Sequence, residues 1–229
     1  SQVGTTKLAL QLNPDTIREL FERMGFGESI GSGFPGETSG SLPSYRKWDP
    51  VTQSTFSFGY GISASALQLA RAYSILASNG FRKEVSMVAL DDAPESVAVI
   101  DPKLTGLIRT MLETAASDQG TGKRAMIDGY SVGGKTGTLH KVAATGGYDQ
   151  HRYMSIFAGL SPVDQPRIVT IVVIDEPGIG DYFGGLVAAP VFSEVTGNAL
   201  RLLQVTPDNM DMNRNVASLK AMLAKRGNL

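Results

Sequence analysis

The sequence predicts an α+β fold in which helices pack on an antiparallel sheet. Three observations carry this expectation. Apolar residues recur at helical spacing through the first half of the chain. After Gly120 the pattern changes to strand-like runs. Two of those runs are joined by Ser161-Pro162-Val163-Asp164-Gln165-Pro166, a turn-rich hairpin connection. No internal repeat and no low-complexity segment interrupts the plan.

Asn13-Pro14 opens a helix, because Asn is a good N-cap and Pro at the first helical position gives up only an orphan donor. Ile17, Leu20, Phe21 and Met24 follow at helical spacing, and Gly25 supplies a stop. From Gly25 to Pro50 glycine, proline and serine dominate, so this stretch reads as a long loop, either functional or packed as its own small unit. Within it, Trp48 reads as a packing anchor. A second helix is expected from Ser63 to Asn79, with Leu67, Ala70, Tyr73, Ser74 and Ala77 on one face and Gly80 at its end. Asp101-Pro102 caps a third helix whose apolar stripe is Leu104, Leu107, Ile108, Met111 and Leu112. Strands are expected over Tyr130–Thr138, Tyr153–Leu160 and Arg167–Ile174. The last is apolar on both faces, which predicts a central place in the sheet. Pro190 opens a further helix through Val191, Val195, Ala199, Leu202 and Leu203, and Val216 to Lys225 forms a last amphipathic stretch with a solvated basic face.

Composition narrows the function classes. The 229 residues suit one large domain or two small ones. A net charge of −1 offers no broad attraction to nucleic acid or anionic membrane. Cysteine is absent, which removes structural disulfides and thiolate metal sites. No run approaches the roughly 20 apolar residues of a membrane span. His140 and His151 are the only histidines and have no paired carboxylate motif, so both read as surface or rim residues and no metal is expected.

The most informative residues are Lys135-Thr136-Gly137-Thr138. Gly129 to Thr136 satisfies the phosphate-loop pattern G-x-x-x-x-G-K-[ST], and Ile171 to Glu176 has the form of an apolar strand ending in acids. Such a loop must lead into a helix, whose first amides hold the phosphate. Here Gly146-Gly147 stops any helix within about two turns, and the segments that follow suggest a hairpin rather than parallel strands. Asp175-Glu176 therefore reads better as a polar turn ending a strand. A second reading is a K-T-G motif on an edge strand beside a nucleophilic serine. The lysine ammonium favours anionic states nearby, the threonine hydroxyls donate to a carboxylate, and glycine admits a substrate backbone. An amide just past the motif can complete an oxyanion hole. The bland alternative is a tight turn with a solvated lysine, and the three-residue motif alone leaves it open.

The wider sequence resembles the division-type class B penicillin-binding proteins, the septal peptidoglycan D,D-transpeptidases of Gram-negative bacteria. The likeness runs from Ser1 to about Asn209. Its landmarks are Val3-Gly4 with Lys7-Leu8-Ala9, Gly33-Phe34-Pro35-Gly36-Glu37, Leu42-Pro43 with Arg46-Lys47-Trp48, and Phe58-Gly59-Tyr60-Gly61 before Leu67-Gln68-Leu69-Ala70. Lys135-Thr136-Gly137-Thr138 with Lys141-Val142, Phe157-Ala158-Gly159, Val172-Val173-Ile174, and Tyr182-Phe183-Gly184-Gly185 before Ala189-Pro190-Val191-Phe192 complete the series. Each is weak alone; their joint order and spacing is specific.

The resemblance implies a penicillin-binding/serine β-lactamase-like fold, with residues 1–229 forming the C-terminal part of one transpeptidase domain. It implies a serine, activated by a lysine one helical turn later, that attacks the D-Ala-D-Ala carbonyl of a peptidoglycan stem peptide and is acylated by β-lactam antibiotics. Lys135 and Thr138 are the implied catalytic residues, with the Thr138 amide as an oxyanion donor. Gln2, Tyr60, Thr136, Gly137, His140, Tyr153, Tyr182 and Phe183 are implied to contact substrate or β-lactam, the three aromatic residues from Tyr153 onward as a wall. No cofactor is implied. The implied place is the periplasmic face of the inner membrane, held by an upstream anchor, among other divisome proteins in the septal cell wall.

Three departures qualify the likeness. The S-x-x-K motif is expected before Ser1, so the 229 residues alone are expected to be inactive. The match at Ser44-Tyr45-Arg46-Lys47 lies in a proline-bounded loop rather than at a helix start, where Ser and Lys would face each other. Ser1-Gln2 stands where the family has the last two residues of S-x-N, so Gln2 replaces Asn with a side chain one methylene longer. The family's membrane anchor and N-terminal module are absent from this sequence. The neighbouring chemistries carried by the same fold are a β-lactamase or carboxypeptidase, for which no dedicated acid to activate a deacylating water is found, and a β-lactam sensor.

Overall fold

A computed structural model describes residues 2–44, 48–143, 146–178 and 180–209. Ser1, the Tyr45-Arg46-Lys47 part of the S-x-x-K match, and the Val216 to Lys225 stretch lie outside the described residues. The chain divides into two compact units, Ser1–Gly106 and Leu107–Leu229.

The first unit holds α1 (Gln2–Ala9), α2 (Pro14–Met24), α3 (Pro50–Phe56), α4 (Ala66–Ala77) and a two-stranded antiparallel sheet of β1 (Phe81–Lys83) and β2 (Ser96–Ala98). α2 follows its capping signals: the Asn13 side chain accepts from the Asp15 amide, and Gly25 ends the helix at φ 90°. Asp49-Pro50 repeats that cap and opens α3 where the irregular stretch ends, a helix the sequence reading did not include. Trp48 anchors there as expected, donating to Asp15 Oδ1 at 3.1 Å with its ring 5.1 Å from the buried Phe56.

α4 corrects two expectations. It starts three residues later than the sequence suggested, because Ser65 and Gln68 form a reciprocal capping box. Its buried face is Gln68, Arg71, Ala72, Ile75 and Leu76, not the face through Leu67 and Ala70. Polarity misdirected the pattern. Gln68 Nε2 donates to the Glu28 and Ser39 carbonyls at 2.9 and 2.8 Å, and the Arg71 guanidinium donates to Gly25 O. These buried polar groups tie the 25–49 loop to the helix, where an apolar count sees only gaps. α5 (Pro102–Ala116) runs across the boundary between the units. Of its expected stripe, Leu104, Leu107 and Met111 are exposed among the described residues, and Ile108 and Leu112 are half-buried.

The second unit is built on an antiparallel sheet of β3 (Gly133–Val142), β4 (Tyr148–Ser161) and β5 (Ile168–Asp175), in the order β3-β4-β5. α6 (Gly184–Leu202) packs on it. Phe157, Phe192 and Leu200 are fully enclosed at that contact. All three strands and the hairpin through Ser161–Pro166 were legible, but β3 starts at Gly133 rather than Tyr130 and runs on to Val142, and β4 starts at Tyr148 rather than Tyr153, because those outer ends carry exposed polar residues. Two corrections follow. β4, not β5, is the central strand among the described residues: Val172 is buried but Val173 is 39% exposed, so apolar residues on both faces did not mark a central strand. α6 begins at Gly184 rather than Pro190. Gly184-Gly185, ahead of that proline, serves close packing within the first turn. A Cβ on Gly184 would strike Gly137 O and Ile156 O, and one on Gly185 would strike Thr121 O.

Candidate active site

β3 is an edge strand among the described residues, pairing only with β4. Gly133 and Gly134 enter it buried: a Cβ on Gly134 would lie 2.5 Å from the Phe157 ring. The strand then emerges, with Lys135 exposed and Thr136 and Gly137 half-buried. The phosphate-loop alternative finds no support here, as the missing helix and Gly146-Gly147 suggested. Lys135 and Thr136 lie inside a strand antiparallel to its neighbour, so no helix begins at the lysine to present amides to a phosphate. Asp175 and Glu176 are engaged instead by Lys141, at 2.9 and 2.7 Å. Those bonds, Glu176 first, raise the Lys141 pKa.

The hydroxyls along β3 form two anchored groups. The Lys135 ammonium donates to Thr136 O at 2.9 Å and to Thr136 Oγ1 at 3.4 Å. Thr136 Oγ1 lies 3.0 Å from Thr121 Oγ1. Thr138 Oγ1 accepts from the Gly184 amide at 2.9 Å, which satisfies one of the orphan donors at the start of α6. A hydroxyl that accepts there keeps its own proton to donate elsewhere.

Toward the far end of β3 stands an aromatic series. His140 pairs with Tyr153 across the strands, their rings 4.6 Å apart. Tyr153 stacks on Tyr182 at 3.9 Å with 14° between the planes, and Tyr182 meets Phe183 at 4.6 Å. Loss of water contact and the neighbouring Tyr182 phenol push the Tyr153 hydroxyl above its ordinary pKa. His140 Nδ1 lies 3.0 Å from the Asp149 carbonyl, which can only accept, so Nδ1 carries the proton. The Asp149 carboxylate is held by the His151 amide and Arg152, which lower its pKa.

The second unit thus brings together Lys135, Thr136, Gly137, Thr138, His140, Tyr153, Tyr182 and Phe183. Gln2 and Tyr60 belong to the first unit; Gln2 is exposed at the start of α1, and the Tyr60 ring packs edge-on against Phe58 at 5.6 Å. Sequence reasoning missed Thr121 and Ser155. Thr121 sits in a Gly-Thr-Gly turn, 14 residues before Lys135, with no local signal of what it faces. Ser155 is a polar residue at a buried strand position, which was a visible signal.

Residues 1–197 match the family model of the penicillin binding protein transpeptidase domain. The chain belongs to the penicillin-binding protein transpeptidase family. It is 41% identical over 219 residues to the protein named "Probable peptidoglycan D,D-transpeptidase PbpC" of Pseudomonas aeruginosa, covering 95% of this chain and 38% of that one. It is 37% identical over 208 residues to peptidoglycan D,D-transpeptidase FtsI of Escherichia coli, covering 91% of this chain and 35% of FtsI. The transpeptidase domain of penicillin-binding protein 3 from Burkholderia pseudomallei superposes with a TM-score of 0.85 at 40% identity, over 92% of this chain and 64% of that one. The α+β architecture is therefore the penicillin-binding fold of this transpeptidase family, and the chain spans about a third to two thirds of the length of these relatives.

Proposed function

We propose that these 229 residues belong to a serine D,D-transpeptidase that cross-links peptidoglycan, and that both units form the C-terminal part of one transpeptidase domain. The family match runs across the boundary between the units, which supports the single-domain assignment. The observation that carries the function is the exposed edge of β3, where Lys135, the Thr136 and Thr138 hydroxyls and Gly137 stand in line before an aromatic wall.

In the proposed reaction a serine from an S-x-x-K helix start, outside these residues, attacks the carbonyl of the penultimate D-Ala. The serine proton passes to a lysine base, the C–N bond breaks, and D-Ala leaves with that proton. The amine of a second stem peptide then attacks the acyl-serine ester, forming the cross-link and restoring the hydroxyl. Lys135 favours the anionic carboxylate and oxyanion by its charge. The Thr136 and Thr138 hydroxyls donate to the donor carboxylate, and the Thr138 amide donates to the oxyanion. Gly137 admits the substrate backbone. His140, Tyr153, Tyr182 and Phe183 flank the leaving-group or β-lactam side chain; Gln2 takes the S-x-N amide role, and Tyr60 approaches the same ligand. No cofactor takes part. β-Lactams acylate the same serine.

Relatives named FtsI point to division, so we place the enzyme at the periplasmic face of the inner membrane with other divisome proteins. No described helix is long and apolar enough to cross a membrane. The test is Lys135→Ala in the full-length protein. Acylation by benzylpenicillin slows by about 10²-fold or more, since loss of one preorganised electrostatic partner costs on that scale. The melting temperature changes little, because Lys135 is an exposed strand residue. An unchanged acylation rate overturns the assignment.

A further inference from the structure

Thr138 and Ser155 face each other across β3 and β4. Side chains directly opposite on adjacent strands share one face of the sheet. Both hydroxyls bond the backbone of one three-residue segment: Thr138 Oγ1 accepts from the Gly184 amide at 2.9 Å, and Ser155 Oγ donates to the Tyr182 carbonyl. Phe183 lies between the two grips and is 53% exposed. Ser155 itself is fully buried, between Met154 and Ile156 on the central strand. A buried hydroxyl without a partner is costly, and a β-branched apolar residue would suit a buried strand position better. The bond to Tyr182 accounts for a serine here.

The rest of the segment reinforces the grip. A Cβ on Gly184 would strike Gly137 O and Ile156 O, so the backbone lies directly against both strands. The N-cap residue Phe183 makes no side-chain cap bond, so Thr138 supplies the acceptor that α6 lacks from its own sequence. At the far end of the loop, the Glu176 amide donates to Tyr153 O at 3.0 Å, next to the ring on which Tyr182 stacks.

We infer that Ser155 is a positioning residue: with Thr138 it clamps the Tyr182–Gly184 backbone and so sets where the Tyr182 and Phe183 rings stand for side-chain recognition. This rests on the proposed transpeptidase reading, in which those rings contact the ligand's side chain. Ser155 touches no substrate; it acts through Tyr182. Removing its hydroxyl leaves the Tyr182 carbonyl without its bond and loosens the stack on Tyr153.

The test uses the full-length protein and two β-lactam probes, benzylpenicillin with its aryl side chain and 6-aminopenicillanic acid without one. Ser155→Ala lowers k2/K for benzylpenicillin at least threefold more than for the bare nucleus, and the loss lies in the pre-acylation binding constant rather than in k2. Ser155→Thr keeps the hydroxyl and retains the parent ratio; Ser155→Cys, a weaker donor of similar size, serves if the alanine variant does not fold. Tyr182→Leu is run beside them. A ratio that Tyr182→Leu shifts and Ser155→Ala does not overturns the role of Ser155 alone. Equal losses for both probes, or a threonine variant that behaves like alanine, also overturn it. If neither Tyr182→Leu nor Ser155→Ala moves the ratio, or the parent is not acylated, the transpeptidase site itself is misassigned.

Discussion

The hydroxyls of Thr121 and Thr136 lie 3.0 Å apart, although 15 residues separate them in the chain. Lys135 Nζ must donate to Thr136 Oγ1, so that oxygen already accepts one bond. With Thr121 as the donor in their contact, Thr136 keeps its own proton for a ligand, and the two bonds together fix its rotamer. Thr121→Val removes the hydroxyl at nearly constant shape. A hydrogen bond of this kind contributes about 1 kcal/mol net, so β-lactam acylation of the full-length protein should fall about fivefold. Stopped-flow acylation measures it, and the melting temperature should move little because Thr121 is exposed.

Gly184 is held against β3 and β4 by geometry rather than by its own flexibility. Gly184→Ala would drive a methyl into Gly137 O and Ile156 O, both backbone atoms that cannot swing aside. Overpacking of this sort costs about 1–3 kcal/mol. A urea melt should show that loss. Acylation should fall as well, because the displaced backbone contains the amide bonded to Thr138.

Glu37 organises the loop that contains it. Its carboxylate accepts from the hydroxyls of Ser29 and Ser32, at 2.6 and 2.5 Å, and from the amides of Ile30, Gly31 and Ser32. The Ser29 and Ser32 hydroxyls foremost hold its pKa at about 2, below its ordinary 4.5. A depressed carboxylate pKa contributes stability that is fully present above the unfolded value and is lost as pH falls through the folded one. The loop should therefore lose this support between pH 4.5 and about 2. Amide exchange at Ile30, Gly31 and Ser32 should accelerate across that window, relative to the intrinsic rate. Glu37→Gln should exchange fast throughout, with no step.

Helix caps were the most legible part of the fold, since Asn13-Pro14 and Gly25 encode their geometry locally. The K-T-G strand was legible because its glycine-rich entry and polar exit fit an edge. Burial on α4 was not, because Gln68 and Arg71 face inward to bind loop carbonyls far away in sequence. The start of α6 was hidden for a related reason: Pro190 suits a first helical position, whereas Gly184-Gly185 answers to backbone on other elements. Thr121 and Ser155 were missed because each acquires its role through a partner 15 or 27 residues away. By contrast the aromatic series was found through resemblance, and the stack of Tyr153 on Tyr182 then gave it a geometry.

Intact mass of the full-length protein after benzylpenicillin treatment, followed by peptide mapping, bears most directly on whether Lys135 serves a serine acyl-enzyme. One stoichiometric adduct is expected, on the serine of an S-x-x-K motif outside these 229 residues, and Lys135→Ala should slow its formation. No adduct, or an adduct on Ser44, would contradict the proposed mechanism.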